Sequence, residues 1–238
     1  MKILSVIIPA YNEEKTIALL LQKVVNVKLI RNIQKEIVII NDGSHDTTEE
    51  LVKDYIRSHA DENIRLINQE KNQGKGAAIR KGLKEITGDY VIIQDADLET
   101  EPEDYNILLE TILNENLKVV YGSRFLNPKN RQNGHLYFSF YWGGRLVTCV
   151  ANLLFGQHLT DESTCYKFFE ATFLKSIPLK CNGFEFCSEV TAKAAKRGIK
   201  IREVPINYYP RLIEEGKKLR WTDGIIAIWT LIKYRFVN

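Results

Sequence analysis

Two aspartates, Asp95 and Asp97, follow a short β-branched run at Tyr90–Ile93 in the segment Gln94-Asp95-Ala96-Asp97-Leu98-Glu99. They are two residues apart, so in an extended segment their carboxylates point the same way. Carboxylates converging beyond a buried strand repel unless a cation lies between them. Hard oxygen ligands beside a phosphate-bearing substrate favour Mg²⁺ or Mn²⁺, and Glu99 would complete the set. The competing reading is a solvated acidic loop before a helix N-terminus. Asn41-Asp42-Gly43-Ser44 ends another such run. Asp42 there can accept from a nucleobase N–H, or the segment is an Asx-type turn that starts the next helix. Thr160-Asp161-Glu162-Ser163 offers two candidates for a general base, against a reading in which Asp161 organises a turn or the metal loop. Glu185 and Glu189 share one helical face, either touching an acceptor or forming an ion-paired surface.

Other chemistries lack their residues. No G-x-G-x-x-G follows the first strand, and Gly74-Lys75-Gly76 has neither the spacing nor the Ser or Thr of a phosphate-binding P-loop. Hydride transfer and P-loop hydrolysis thereby lose most of their support. The cysteines Cys149, Cys165, Cys181 and Cys187 form no C-x-x-C pair, and His45, His59, His135 and His158 share no metal-ligand spacing. Reduced thiols in a cytosolic protein and surface or loop histidines are expected. A net charge of +3 on 238 residues gives no reason to invoke nucleic acid. Lys193–Arg220 nevertheless holds nine basic and three acidic residues, a local +6 that suggests an anionic ligand or a membrane surface.

The elements that must position these groups alternate through the first half. Leu4–Ile8, Ile37–Ile40, Ile64–Ile67, Tyr90–Ile93 and Val119–Tyr121 read as strands covered on both faces. Between them lie apolar stripes of helical period: Ile17, Leu20, Leu21, Val24; Leu51, Val52, Tyr55, Ile56; and Ile79, Leu83, Ile86 before Gly88 as a stop signal. Thr47 and Glu50 fit a capping box, and Pro102 fits the first turn of a fourth helix carrying Leu108, Leu109 and Ile112. Such alternation predicts a largely parallel sheet whose ligands sit beyond the carboxyl ends of its strands.

After Arg124 the alternation fades. Asn127–Gly134 reads as a loop, Tyr137–Phe155 as a helix interrupted at Gly143-Gly144, Phe184–Lys196 as a helix, and Ile199–Val204 as a strand. The apolar start, Ile3–Ile8, is too short for a signal peptide. No stretch reaches the roughly 18 apolar residues of a spanning helix, so the protein is expected not to be integral to a membrane.

Taken in order, Ser5–Glu13, Asn41–Ser44 and Gln94–Leu98 resemble the nucleotide-diphospho-sugar transferases of family 2, with the GT-A fold. The likeness continues through Asn72–Gly76, Gly122–Phe125 and Glu203–Arg211, a combination similar to the dolichyl- or polyprenyl-phosphate sugar synthases. It covers nearly the whole chain. The resemblance implies an α/β GT-A fold, a mostly parallel sheet flanked by helices. It also implies one domain over 1–238: a donor half (1–124), an acceptor half (125–215) and a C-terminal helix (216–238). Pro9, Ala10, Tyr11 and Glu13 would line the base and ribose pocket with Asp42, while Lys75 and Ala96 would also touch the donor. Asp95 and Asp97 would hold Mg²⁺ or Mn²⁺. Glu99 stands where related enzymes often have Gln. Arg124 and Arg211 would bind donor and acceptor phosphates, assisted by Lys218.

Transfer to a hydroxyl needs a base, whereas a phosphate monoester is already anionic and can attack the anomeric carbon directly with inversion. The reaction implied is metal-dependent transfer from a GDP- or UDP-sugar to a polyprenyl or dolichyl phosphate. The alternatives are transfer to a saccharide hydroxyl with Asp161 or Glu162 as base, and a nucleotide-sugar-binding module without turnover. Near the end, Trp221, Ile225, Ile228, Trp229, Ile232 and Phe236 recur at helical spacing among Lys217, Lys218, Arg220, Lys233 and Arg235. That pattern suits a helix lying in a membrane interface, or one that packs in the core or against another subunit. The expected setting is cytoplasmic, peripheral on the membrane face.

Overall fold

The computed structural model describes residues 1–131, 138–211, 218 and 220–237. The loop expected at Asn127–Gly134 is therefore seen only to Arg131, and the expectations placed on His135, Tyr137 and Lys217 lie outside the described residues. In chain order the elements are β1 (Ile3–Ala10), α1 (Ile17–Asn26), β2 (Gln34–Asn41), α2 (Thr48–Ser58), β3 (Ile64–Asn68), α3 (Lys75–Glu85) and β4 (Tyr90–Ile93). Then follow α4 (Tyr105–Asn114), β5 (Val119–Ser123), α5 (Phe138–Phe155), β6 (Lys167–Glu170), α6 (Ala171–Ser176), α7 (Phe186–Lys196), β7 (Arg202–Pro205) and α8 (Trp221–Phe236).

Seven strands form one sheet in the order β3-β2-β1-β4-β6-β5-β7. All neighbours pair in parallel except β6, which runs antiparallel to both β4 and β5. The apolar runs are continuous because both faces are covered. Leu4, Val6 and Ile8 of β1 pack with α1, α2 and α4, whereas Ile7 packs on the other face with α3, α6 and α7. Each such Leu, Ile or Val contributes about 1.5–3 kcal/mol by leaving water. This layer holds the strand ends still.

Four local expectations are corrected. Asp46 opens α2, not a Thr47–Glu50 box: its Oδ1 accepts from Thr48 N at 3.0 Å and Thr48 Oγ1 at 2.6 Å, and Thr47 Oγ1 donates to Glu14 at 2.8 Å. α5 runs unbroken through Gly143-Gly144, because its buried Val147 and Ala151 pack against Leu231 and Tyr234 of α8. Gly88 lies beyond the end of α3 and donates to Ser5 Oγ on β1 instead of closing the helix. The last strand begins at Arg202, since Ile201 N is bonded to the Gln157 side chain and not to a neighbouring strand.

α5 and α8 pack against each other and turn other apolar side chains outward. Trp142, Leu146 and Leu153 on α5 are exposed, as are Trp221, Ile225, Trp229, Ile232 and Phe236 on α8. Ile228, counted in the same stripe, instead packs against the buried cluster between these helices. No helix among the described residues is long and apolar enough to cross a membrane.

Candidate active site

The carboxyl ends of β1, β2 and β4 lie side by side, because their registers align Ala10 with Asn41 and Ile7 with Ile93. Two tight turns leave these ends with non-glycine residues at positive φ, Asn12 at +50° and Leu98 at +60°. Backbone strain of this kind persists where surrounding structure enforces it and often accompanies function. Beneath the second turn, the buried Gln94 accepts the hydroxyls of Tyr105 at 2.8 Å and Tyr166 at 3.0 Å, anchoring the Asp95–Asp97 segment. The sequence around Gln94 signals no role for it, because its partners come from α4 and the turn before β6.

Asp95 meets the Lys75 ammonium at 2.5 Å, and Lys75 also donates to Cys165 Sγ at 2.9 Å. Burial opposes both charges, yet the pair overcomes it: Lys75 is held above its ordinary pKa and Asp95 below. Ala96 between the aspartates is buried. Asp97 accepts Glu99 N at 3.1 Å and lies 3.5 Å from Arg211 Nη2. Burial, followed by the charges of Asp95 and Glu99, pushes its pKa up to about 7. Among the described residues no three His, Cys, Asp or Glu side chains form a ready metal cage. Two hard carboxylates repelling one another fit a cation of the Mg²⁺ type, which takes one or two protein carboxylates and completes its shell from phosphates and water.

Glu99 is placed differently from a third ligand. Its Oε2 accepts Tyr208 OH at 3.0 Å and its Oε1 accepts Arg211 N at 2.8 Å, so it anchors the strand-like segment after β7. Arg211 reaches back to Glu13 Oε2 at 3.2 Å, and Lys218 to Glu13 Oε1 at 2.6 Å and to the Tyr11 carbonyl. Glu13, expected on the nucleotide pocket, thus ties down basic residues from the far end of the chain. Pro9 and Ala10 complete β1, and the Tyr11 and His45 rings meet in a T-shaped arrangement with centroids 6.4 Å apart.

Asp42 is buried and holds the loop before α3: Oδ1 accepts Gln69 Nε2 and Gln73 N at 2.6 and 2.8 Å, and Oδ2 accepts Gly74 N at 2.8 Å. The turn after it needs glycine, because Gly43 has φ +69° and a Cβ there would lie 2.6 Å from the Lys71 carbonyl carbon.

Arg124 stands at the end of β5. Its Nε and Nη2 fork onto Asp161 at 2.7 and 2.6 Å, and its N–H adds a third bond at 3.0 Å. Its guanidinium also stacks 5.2 Å from the Tyr208 ring centroid. Asp161 is wholly buried with both oxygens on Arg124, which corrects its candidacy as a general base: it has no free edge toward an acceptor hydroxyl. Glu162 is also wholly buried, its N–H on Thr148 and its carbonyl on Lys167, and burial raises its pKa. Glu203, which opens the Glu203–Arg211 likeness but has no role legible in the sequence, supports this corner by accepting Thr160 N and Oγ1 at 2.6 and 2.8 Å and Asp161 N at 2.9 Å. Its partners lie over forty residues away, so no local pattern announces them. Glu185 accepts N–H groups of Asn182 and Gly183, while Glu189 is buried and ion-paired with Lys193. His45 and His158 are exposed, and His59 stacks on Tyr55.

Comparisons with known proteins follow the same outline. Residues 5–177 match the profile described as Glycosyl transferase family 2. A dolichyl-phosphate beta-glucosyltransferase of Trichomonas vaginalis is 33% identical over 242 residues, covering 97% of this chain and 72% of that protein. A UDP-N-acetylglucosamine–dolichyl-phosphate N-acetylglucosaminyltransferase of Methanococcus voltae is 33% identical over 220 residues, covering 86% of this chain and 85% of its own length. Among solved structures, glucosyl-3-phosphoglycerate synthase of Mycobacterium tuberculosis, in complex with Mn²⁺, UDP and glucosyl-3-phosphoglycerate, superposes with a TM-score of 0.74 at 18% identity. That likeness covers 100% of this chain and 81% of the other, and it establishes the fold alone.

Proposed function

This chain belongs to glycosyl transferase family 2, and from that premise we propose that it transfers a hexose from a nucleotide-sugar to the phosphate of a dolichyl or polyprenyl lipid, with inversion. The observation that carries the reading is the pairing of Arg211 with Asp97 and Glu13, at 3.5 and 3.2 Å. It sets a cation against the acidic strand ends, while Asp161 is held on Arg124 through both oxygens and Glu162 is wholly buried. A phosphate acceptor needs no base; it needs a cation to bring it against the donor's own negative charge.

In this reading residues 1–124 hold the donor and residues 125–215 shape the acceptor side. Asp95 and Asp97 would hold a divalent cation, Mg²⁺ or Mn²⁺, which supplies positive charge for the departing nucleoside diphosphate. Lys75 keeps Asp95 ionised and oriented. Arg211 exchanges its carboxylate contacts for phosphate oxygens, and Lys218 neutralises Glu13 beside it. Arg124 stays on Asp161 and gives Tyr208 a fixed charged face. Asp42 has three of its about four acceptor directions filled, leaving one. A single direction suits uracil, with one ring N–H, better than the two-donor edge of guanine, so we assign a UDP-sugar.

The exposed aromatic and aliphatic faces of α5 and α8, with Arg145, Lys218, Arg220, Lys233 and Arg235 nearby, fit attachment to an anionic lipid surface. This would bring the acceptor site to a lipid phosphate on the cytoplasmic face. Transfer from radiolabelled UDP- and GDP-sugars to short-chain polyprenyl phosphate, with Mg²⁺ or Mn²⁺, tests donor and acceptor together. Organic-extractable counts from a UDP-sugar are expected; counts appearing only with a saccharide acceptor would overturn the reading. Flotation with anionic liposomes tests the surface: full-length protein should float, and Trp221→Ala/Trp229→Ala should remain at the bottom.

A further inference from the structure

One carboxylate on α7 takes no part in the chemistry above. Glu189 is wholly buried. Its oxygens accept Lys180 N at 2.8 and 3.0 Å, Cys181 N at 2.8 Å and the Lys193 ammonium at 2.6 Å. Lys193 donates in turn to the Pro178 carbonyl at 2.5 Å and lies 4.2 Å from the centroid of Tyr234 on α8. The Tyr234 hydroxyl lies 4.0 Å from Cys181 Sγ in the same turn. One buried charge thus gathers α7, α8 and the turn between α6 and α7.

That turn, residues 180–183, is the floor beneath the donor-site lysine. Asn182 O accepts Ala77 N at 3.0 Å, and Arg80 of α3 donates to Asn182 Oδ1 at 2.6 Å and to the Cys181 carbonyl. The contact admits no side chain. A Cβ on Gly74, whose φ is +97°, would lie 2.5 Å from Asn182 O, and one on Gly76 would lie 2.5 Å from Cys181 O. Lys75 stands between these glycines with its ammonium on Asp95, and Gly74 N is bonded to Asp42. Any shift of the turn therefore moves two donor contacts together.

We propose that Glu189 is a positioning residue for nucleotide-sugar binding. By gripping the amides of Lys180 and Cys181 it holds the 180–183 turn against Gly74-Lys75-Gly76, and so sets the Lys75–Asp95 pair and the Asp42 contact. The inference rests on the donor assignment above. A clamp serving stability alone would leave substrate constants unmoved, whereas this one acts on the donor and spares the acceptor, whose Arg211 lies on the segment after β7.

Glu189→Gln keeps the side-chain shape and removes the charge. Its KM for the nucleotide-sugar is expected to rise about tenfold, equivalent to ~1.4 kcal/mol, with the KM for polyprenyl phosphate changing by less than about twofold. Acylation of Lys75 by an amine reagent, mapped by mass spectrometry on the ligand-free full-length protein, should increase in parallel and does not depend on turnover. Glu36→Gln is the control for lost stability, because Glu36 is a buried carboxylate at the opposite end of β2, bonded to Ser5, Thr87 and Arg65. Should Glu189→Gln fail to fold, Tyr234→Phe removes only one hydroxyl and is expected to raise Lys75 labelling about two- to threefold. Unchanged labelling in the folded variant, or equal rises in both KM values matched by Glu36→Gln, would overturn the proposal. Increased labelling in a protein whose wild type binds no nucleotide-sugar would uphold the clamp and sink the donor assignment instead.

Discussion

At the end of β5, Arg124 gives Nε and Nη2 to the two oxygens of one buried carboxylate, at 2.7 and 2.6 Å. On the segment after β7, Arg211 spans two carboxylates at 3.2 and 3.5 Å, and its buried Nε has no partner among the described residues. The first arrangement is a closed fork, with charge and geometry both satisfied. The second is an open one, in which looser contacts are held by groups that a metal and a diphosphate would claim. A cation built into the frame and a cation ready to change partners have the same residue type, and the surroundings alone distinguish them.

The largest effect should fall on the open side. Asp97→Asn removes one of two proposed metal-binding carboxylates, and kcat/KM for transfer should drop by about a thousandfold or more, ~4 kcal/mol. Melting temperature should hardly move, because the Asp97 contacts are one loop amide and an open pairing with Arg211 at 3.5 Å, and burial already disfavours its charge; a large loss of stability would break the contrast. Arg211→Met should lower transfer by about a hundredfold, ~2.7 kcal/mol, again with nearly native melting.

On the closed side the order reverses. Arg124→Met strands Asp161 as an uncompensated buried charge, with an expected loss of about 3–5 kcal/mol in denaturant unfolding. Asp161→Asn should destabilise by about 1–3 kcal/mol through the same broken fork. At a temperature where that variant is folded, transfer to polyprenyl phosphate should persist; complete loss would return Asp161 to the chemistry. The smallest effect concerns pH. Burial raises the pKa of Glu203, which supports Asp161, above its ordinary 4.5. A carboxyl that holds its proton more tightly when folded favours the native state at low pH. Stability contributed here should decline as pH rises from 4.5 through the raised value, and Glu203→Gln should flatten that limb of an unfolding-versus-pH curve.

The strands β1 to β5 were legible because period, β-branching and turn residues agree at each of them; β4 was read to the residue as Tyr90–Ile93. β6 was not. Lys167–Glu170 is four residues long, carries a charge at each end, and becomes a strand by pairing on both sides with β4 and β5. The D-x-D pair announced itself by spacing. Glu203 and Gln94 did not, since each is defined by partners that the fold brings from other elements; Glu189 showed its helical spacing and an ion-paired face, but not the Lys180 and Cys181 amides it holds. Glu99 misled because a third carboxylate in series looks like a third ligand, and only the return of Tyr208 and Arg211 shows what it binds.

Local order determined much of this protein: which segments could be strands covered on both faces, where acidic groups would gather at their ends, and which family pattern those groups complete. Such features depend on neighbours within a few residues, and a chain displays them before it folds. Tertiary structure alone decided which charges are satisfied. Asp161 and Asp97 are both acidic residues that face an arginine. One lies under a fork with three bonds to it; the other is buried beside like charges, and burial with those charges pushes its pKa to about 7. Burial and through-space charge set that difference, and neither is written in the spacing of residues along the chain.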